Sequence, residues 1–159
     1  MKIQPSNKRA LLKAALGTIE SDMVITNVQL VNVITGEIYP ADVFVYDGMI
    51  AHVEYKEPGK ELSKAKQVVD GEGRYLIPGF IDAHEHIESS MMTPRNFAKG
   101  VIPNGTTTVI TDPHEIANVC GTNGIRYMLE ASDGLPLTVY LTLPSCVPAT
   151  AFDEAGAVL

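Results

Sequence analysis

The spacing of apolar positions changes twice along this chain, and each change marks a different kind of structure. Residues 6–16 (SNKRALLKAAL) run through good helix formers from Ser6, an N-cap type, to Gly17, which predicts a short surface helix. From Asp22 onward β-branched residues dominate. MVITNVQLVNV leads to the turn pair Thr35-Gly36, and VFVYDGMIAHVEY reads as two strands joined at Asp47-Gly48, a strong hairpin signal. A Lys/Glu-rich surface stretch follows over residues 56–66, and then QVVDGEGRY. The expectation is an N-terminal helical segment over residues 1–20 and a small β-sandwich-like portion over residues 21–75.

Beyond Pro78-Gly79 the pattern changes again. Leu76–His86 reads as a buried strand. Thr93-Pro94 opens a helix to about Val101, with proline in its first turn, and TTTVITD after Asn104-Gly105 is a second strand. Gly124–Ala131 (GIRYMLEA) carries apolar residues at helical spacing, and LTVYLTL, residues 137–143, is a third strand. Strand, helix, strand, helix, strand is the rhythm of a parallel α/β sheet or barrel, here over residues 76–159.

Charge sharpens the division. The net charge is -7, and residues 76–159 hold 3 basic and 9 acidic side chains of the total. A nucleic-acid surface needs a basic stripe, so nucleic acid is not an expected partner. No apolar run reaches the roughly 18 residues that span a bilayer, and no membrane association is expected. Met1–Ala15 lacks the long apolar core of a secretory signal. Cys120 and Cys146 stand far apart with no CxxC pair, which fits reduced thiols and a cytoplasmic location.

The polar residues of the second half gather just after its strands: His84-Glu85-His86, then Asp112-Pro113-His114-Glu115, then Ser145-Cys146. Sites in parallel α/β folds form at those carboxyl ends. Side chains two apart on a strand share a face, so His84 and His86 can reach one cation, and imidazole suits zinc, manganese and iron. A bare H-x-H pair also arises by chance. Asp82 reads as orienting the strand or holding a ligand histidine by its second nitrogen. Glu88, Ser89 and Ser90 divide evenly between loop hydrogen bonding and substrate contact. Ser145 and Cys146 have no adjacent base and read as pocket wall, and His52 as structural or exposed.

The flanking sequence shifts that balance. Gly73–His86 (GRYLIPGFIDAHEH) matches the G-x-x-x-I-P-G-x-I-D-x-H-x-H with which the amidohydrolase superfamily opens its barrel. HIESSMMTPRNFA, VIPNGTTTVITDPHEIANVCG and LPSCVPAT resemble, within it, the adenine deaminases, so the resemblance covers about residues 20–159. It implies an α/β fold: an incomplete (β/α)8 metal-hydrolase barrel, about the first three βα units, preceded by part of a composite β-sandwich. It implies hydrolysis of adenine to hypoxanthine and ammonia, a binuclear divalent-metal centre with manganese, or iron as the alternative, and a homo-oligomer. Carried onto this chain, His84 and His86 are the metal pair. Asp112, His114 and Glu115 match the family's D-P-H-E motif, with metal, substrate and scaffold roles all open to them, and Glu88 and Ser89 match the segment after the histidine pair, a candidate substrate loop. Base-flipping zinc deaminases instead use H-x-E followed by P-C-x-x-C; His86-Ile87-Glu88 supplies the first, but no P-C-x-x-C follows.

A (β/α)8 barrel takes about 250 residues and eight strands, whereas residues 76–159 offer three candidate strands. The expectation is therefore an N-terminal portion of a hydrolase, inactive by itself. Two alternatives remain: a non-catalytic remnant that dimerises over its open edge, or an amidohydrolase acting on a cyclic amide or an N-acetyl sugar.

Overall fold

The computed structural model describes residues 7–56, 59 and 64–147, which fall into two units, residues 1–78 and 79–159. In the first, helix α1 (Lys8–Ala15) is capped by Asn7, whose Oδ1 accepts the N–H of Ala10 at 3.1 Å. The cap expected at Ser6 lies outside the described residues. Ala14 is fully buried, and α1 packs on β3 and β2 of the sheet.

That sheet holds β1 (Ser21–Asn32), β2 (Glu37–Tyr46), β3 (Met49–Tyr55), β4 (Ala65–Asp70) and β5 (Tyr75–Leu76). Its order is β3-β2-β1-β4, with β5 also paired to β1. The β2–β3 hairpin turns at Asp47 (φ 52°) and Gly48 (φ 71°), two consecutive positive φ angles that a tight primed turn requires. A bulge at Asn27 (φ 55°) divides β1 in two. The Asn27 N–H donates to Asp42 Oδ1 (3.0 Å), and its side-chain amide donates to Asp70 Oδ1 (2.9 Å). Before the bulge β1 pairs in parallel with β4; after it, Gln29 and Leu30 pair with β5. Over residues 21–75, where part of a composite β-sandwich was expected, the described residues form one mixed sheet. The later segments add to the open edge of β1 rather than building a second layer.

The second unit contains β6 (Phe80–Glu85), α2 (Pro94–Val101), β7 (Thr106–Thr111), α3 (His114–Cys120), α4 (Thr122–Ser132) and β8 (Thr138–Leu141). The three strands are parallel in the order β6-β7-β8. Ile87, Phe97, Ala98, Val109, Met128 and Leu137 form its core, all nearly inaccessible to solvent. Thr93 caps α2, its hydroxyl accepting the N–H of Asn96, and Pro94 sits at the first helical position, as the sequence anticipated.

Two expectations differ from the structure here, and one helix was not foreseen. The strand read over Leu76–His86 is two: Leu76 belongs to β5 of the first sheet, and β6 begins at Phe80. Nor is β6 buried, since it lies at the edge of the described sheet with Phe80 55% and Ile81 66% exposed. Helix α3 was not anticipated. It is seven residues long, and its N-cap position, Pro113, offers no side-chain cap, so no local signal announces it.

Two glycines hold close approaches in this unit. A Cβ on Gly79 would stand 2.2 Å from Thr107 Oγ1, and one on Gly124 would stand 2.7 Å from the Ile116 carbonyl oxygen. The second contact lets α3 and α4 pack tightly. Among the described residues, no helix is long and apolar enough to cross a membrane.

Candidate metal centre

The parallel strands bring two of the polar clusters together. His84 and Glu85 end β6, and His86 follows directly. Asp112 follows β7, and His114 opens α3. Pairing between β6 and β7 slips between Asp82 and Glu85, where three steps on β6 match two on β7. His84 lies in that bulge, its N–H donating to Asp82 Oδ1 at 3.1 Å. Glu85 Oε1 accepts the N–H of the next residue, His86, at 2.8 Å. The Glu85 carbonyl accepts the N–H of Asp112 at 2.9 Å, so the two strand ends continue side by side.

Partners define the histidine tautomers. His86 Nδ1 lies 2.9 Å from the Asp112 carbonyl oxygen, an acceptor only, so Nδ1 carries the hydrogen and Nε2 presents a lone pair. Likewise His114 Nδ1 donates to Asp112 Oδ2 at 3.0 Å, which leaves its Nε2 free to ligate. His84 Nε2 and His86 Nε2 are 3.0 Å apart, with the rings edge to face. The His86 and His114 rings also meet edge to face, at 4.7 Å between centroids.

This arrangement suits a divalent cation. One donor atom from each of His86, Asp112 and His114 lies within 4.8 Å of the others. Ligands bound at about 2.0–2.1 Å, on opposite sides of one cation, stand about 4.2 Å apart, and adjacent ligands about 3 Å. No pair in the triad is separated by more than about 0.6 Å beyond the span of opposite ligands, and the 3.0 Å between His84 and His86 matches an adjacent pair. Asp112 Oδ1 supplies an independent sign: it is buried without a hydrogen-bond partner, a costly state for a carboxylate oxygen unless a cation or proton meets it. Nitrogen and carboxylate donors together fit zinc, manganese or iron.

The remaining residues singled out by sequence fall elsewhere. Glu115 and Ser89 pair with each other, the hydroxyl 2.6 and 2.5 Å from the two carboxylate oxygens. Glu115 is thus outside the donor triad. Glu88 Oε1 accepts a long hydrogen bond (3.4 Å) from the Ile116 N–H, while its Oε2 is buried without a partner. Ser90 donates to the Ile87 carbonyl. Cys120 and Cys146 are free and exposed. His52 stacks on Phe44 in the first unit at 4.2 Å between centroids. What sequence reasoning missed was the Asp112 carbonyl that sets the His86 tautomer, since a backbone acceptor leaves no residue-type signal.

Known proteins resemble this chain in sequence and fold. The profile of the amidohydrolase family matches residues 75–158. The chain is 52% identical over 149 residues to an adenine deaminase 2 of Carboxydothermus hydrogenoformans, covering 94% of this chain and 25% of that one. It is 49% identical over 148 residues to an adenine deaminase of Geobacillus kaustophilus, covering 93% and 24%. It therefore spans about a quarter of the length of these curated relatives. Among solved structures, a D-aminoacylase variant with copper superposes with a TM-score of 0.57 at 21% identity, covering 77% of this chain and 29% of that one. An atrazine chlorohydrolase variant of Arthrobacter aurescens, bound to zinc and atraton, gives 0.56 at 15% identity, covering 76% and 35%. At such identities the likeness concerns the fold.

Proposed function

This chain belongs to the amidohydrolase family, and from that footing we propose that it supplies the opening metal-binding strand ends of a (β/α)8 hydrolase that converts adenine to hypoxanthine and ammonia. The observation that carries the chemistry is the convergence of His86, Asp112 and His114 at the ends of two adjacent parallel strands. The substrate reading rests on the adenine deaminases that are about half identical to this chain over 93–94% of its length.

His86, Asp112 and His114 would hold a divalent metal, with His84 beside them; manganese is the proposed ion and iron the alternative. Such an ion supplies Lewis acidity and makes hydroxide available near neutral pH, lowering the pKa of bound water from about 15.7 toward 7. This chain's residues prepare the site. The Asp112 carbonyl holds His86 with its Nε2 lone pair outward, and Asp112 Oδ2 does the same for His114. Where His86 Nε2 offers a lone pair, His84 Nε2 donates its hydrogen to it, so His84 must move that proton to Nδ1 to become a ligand. The proposal carries with it adenine as the small-molecule partner, a homo-oligomer and a cytoplasmic setting.

A chimera tests this reading directly. These 159 residues replace the matching quarter of the Carboxydothermus enzyme, and ammonia and hypoxanthine are measured with adenine and added manganese. The chimera is expected to deaminate adenine, and His86→Ala to lose bound metal and activity together. A folded, metal-loaded chimera that leaves adenine intact overturns the substrate assignment. Unchanged metal content in His86→Ala overturns the metal assignment.

A further inference from the structure

Two polar links tie the turn after His86 to the first turn of α3, which carries His114. The stronger is Ser89 to Glu115, 2.6 and 2.5 Å from the hydroxyl to the two carboxylate oxygens and 26 residues apart in sequence. The other is Glu88 Oε1 to the Ile116 N–H, also between these segments. Helix α3 has no side-chain cap of its own, so the Ile116 N–H is met by a residue from the neighbouring strand end. On the other side, Ile87 is fully buried in the core and anchors the Ile87–Ser90 turn.

We infer that Ser89 and Glu115 are positioning residues, which act through His114 by pinning the start of α3 to the strand end that carries His86. This rests on the metal reading given above. A ligand set works only when its donors are held within about 0.5 Å of their productive positions. His86 and His114 come from different strand ends, and no covalent neighbour relation fixes the spacing between them. Glu115 is the residue next to His114, so tethering its carboxylate restrains the backbone from which the imidazole projects. A short helix without its own cap would otherwise be free to fray at the end where the ligand sits. The Ser89 hydroxyl shares its one hydrogen between the two Glu115 carboxylate oxygens, and Glu115 stands outside the donor triad, which together favour holding the loop over ligating metal.

The test is a cobalt(II) titration of the full chain, followed by visible absorption, with melting by circular dichroism to verify that each variant folds. Ser89→Ala and Glu115→Ala are each expected to weaken cobalt binding about tenfold, in line with the loss of other groups that orient ligands. The double variant should be no weaker than either single one, because both remove the same link. Ser89→Thr, which keeps the hydroxyl, should restore binding. The shape of the cobalt spectrum at saturation should be unchanged throughout, since the donor atoms are the same. If Glu115→Ala is as damaging as His114→Ala and alters the spectrum while Ser89→Ala binds normally, Glu115 is a ligand and the inference is overturned. Cobalt binding that is lost in His86→Ala but untouched in both Ser89→Ala and Glu115→Ala overturns the inference alone. No cobalt binding by the unsubstituted chain overturns the metal reading, and this inference with it.

Discussion

Replacing Gly124 with alanine should disturb the candidate metal centre from a distance, through the packing of α4 on α3. The added Cβ would lie 2.7 Å from the Ile116 carbonyl oxygen and 3.0 Å from both the Ile116 carbonyl carbon and Cγ1. Ordinary contact begins near 3.4 Å, so α3 must retreat by about 0.7 Å. Ile116 lies two residues beyond His114 in the same short helix, and such a displacement exceeds the roughly 0.5 Å that a site of this kind tolerates. The stability terms oppose one another. Alanine gains up to about 1 kcal/mol over glycine within a helix, whereas forcing a methyl into a packed contact costs about 1–3 kcal/mol. Gly100 provides the control: it lies within α2, and a Cβ there meets nothing within 4 Å. Gly100→Ala should therefore stabilise by about 0.5–1 kcal/mol. Thermal melting should place Gly124→Ala below Gly100→Ala by about 1–3 kcal/mol, or several degrees in a unit of this size. Cobalt titration should show about tenfold weaker binding in Gly124→Ala and none of that loss in Gly100→Ala. If Gly124→Ala melts as high as Gly100→Ala and binds cobalt normally, the close approach of α4 to Ile116 is not a constraint on the site.

Asp112→Asn should separate stability from metal binding. It keeps the side chain's shape and should leave the metal-free chain folded, while cobalt affinity drops by at least about tenfold; normal cobalt binding by the folded variant, seen by melting and titration, would contradict this role. Met128→Ala empties the centre of the second core and should cost about 2–5 kcal/mol in denaturant unfolding, a result inconsistent with that packing if the loss is under about 1 kcal/mol. At Asp22, the Asp47 N–H and then Lys66 hold the carboxyl below its ordinary value of 3.8. Its contribution is therefore present above that value and lost as pH falls through the lower folded value. Asp22→Asn should reduce the steepness of acid unfolding below about pH 4 and leave the slope at neutral pH unchanged.

The local features of this chain were written in its sequence. Asp47-Gly48 demanded a turn with two positive φ angles and received one, and Thr93-Pro94 carried the cap and first turn of α2. The polar clusters after the strands were equally legible, because parallel strands present their carboxyl ends together and the residues there are free of packing duties. Tertiary structure decided the rest. Whether Leu76 belonged with the strand to its N-terminal or C-terminal side depended on pairing with Leu30, forty-six residues away. Helix α3 formed without a cap of its own, with Glu88 meeting the Ile116 N–H and Ala117 buried. The H-x-H pair looked like a regular strand face, but a bulge at His84 and the Asp112 carbonyl set where the imidazoles point. Glu115 and Ser89, which the sequence marked as separate candidates, became a pair only when two strand ends met. Local chemistry is encoded by neighbours along the chain, whereas a site is made by distances across it, which depend on how every intervening residue packs.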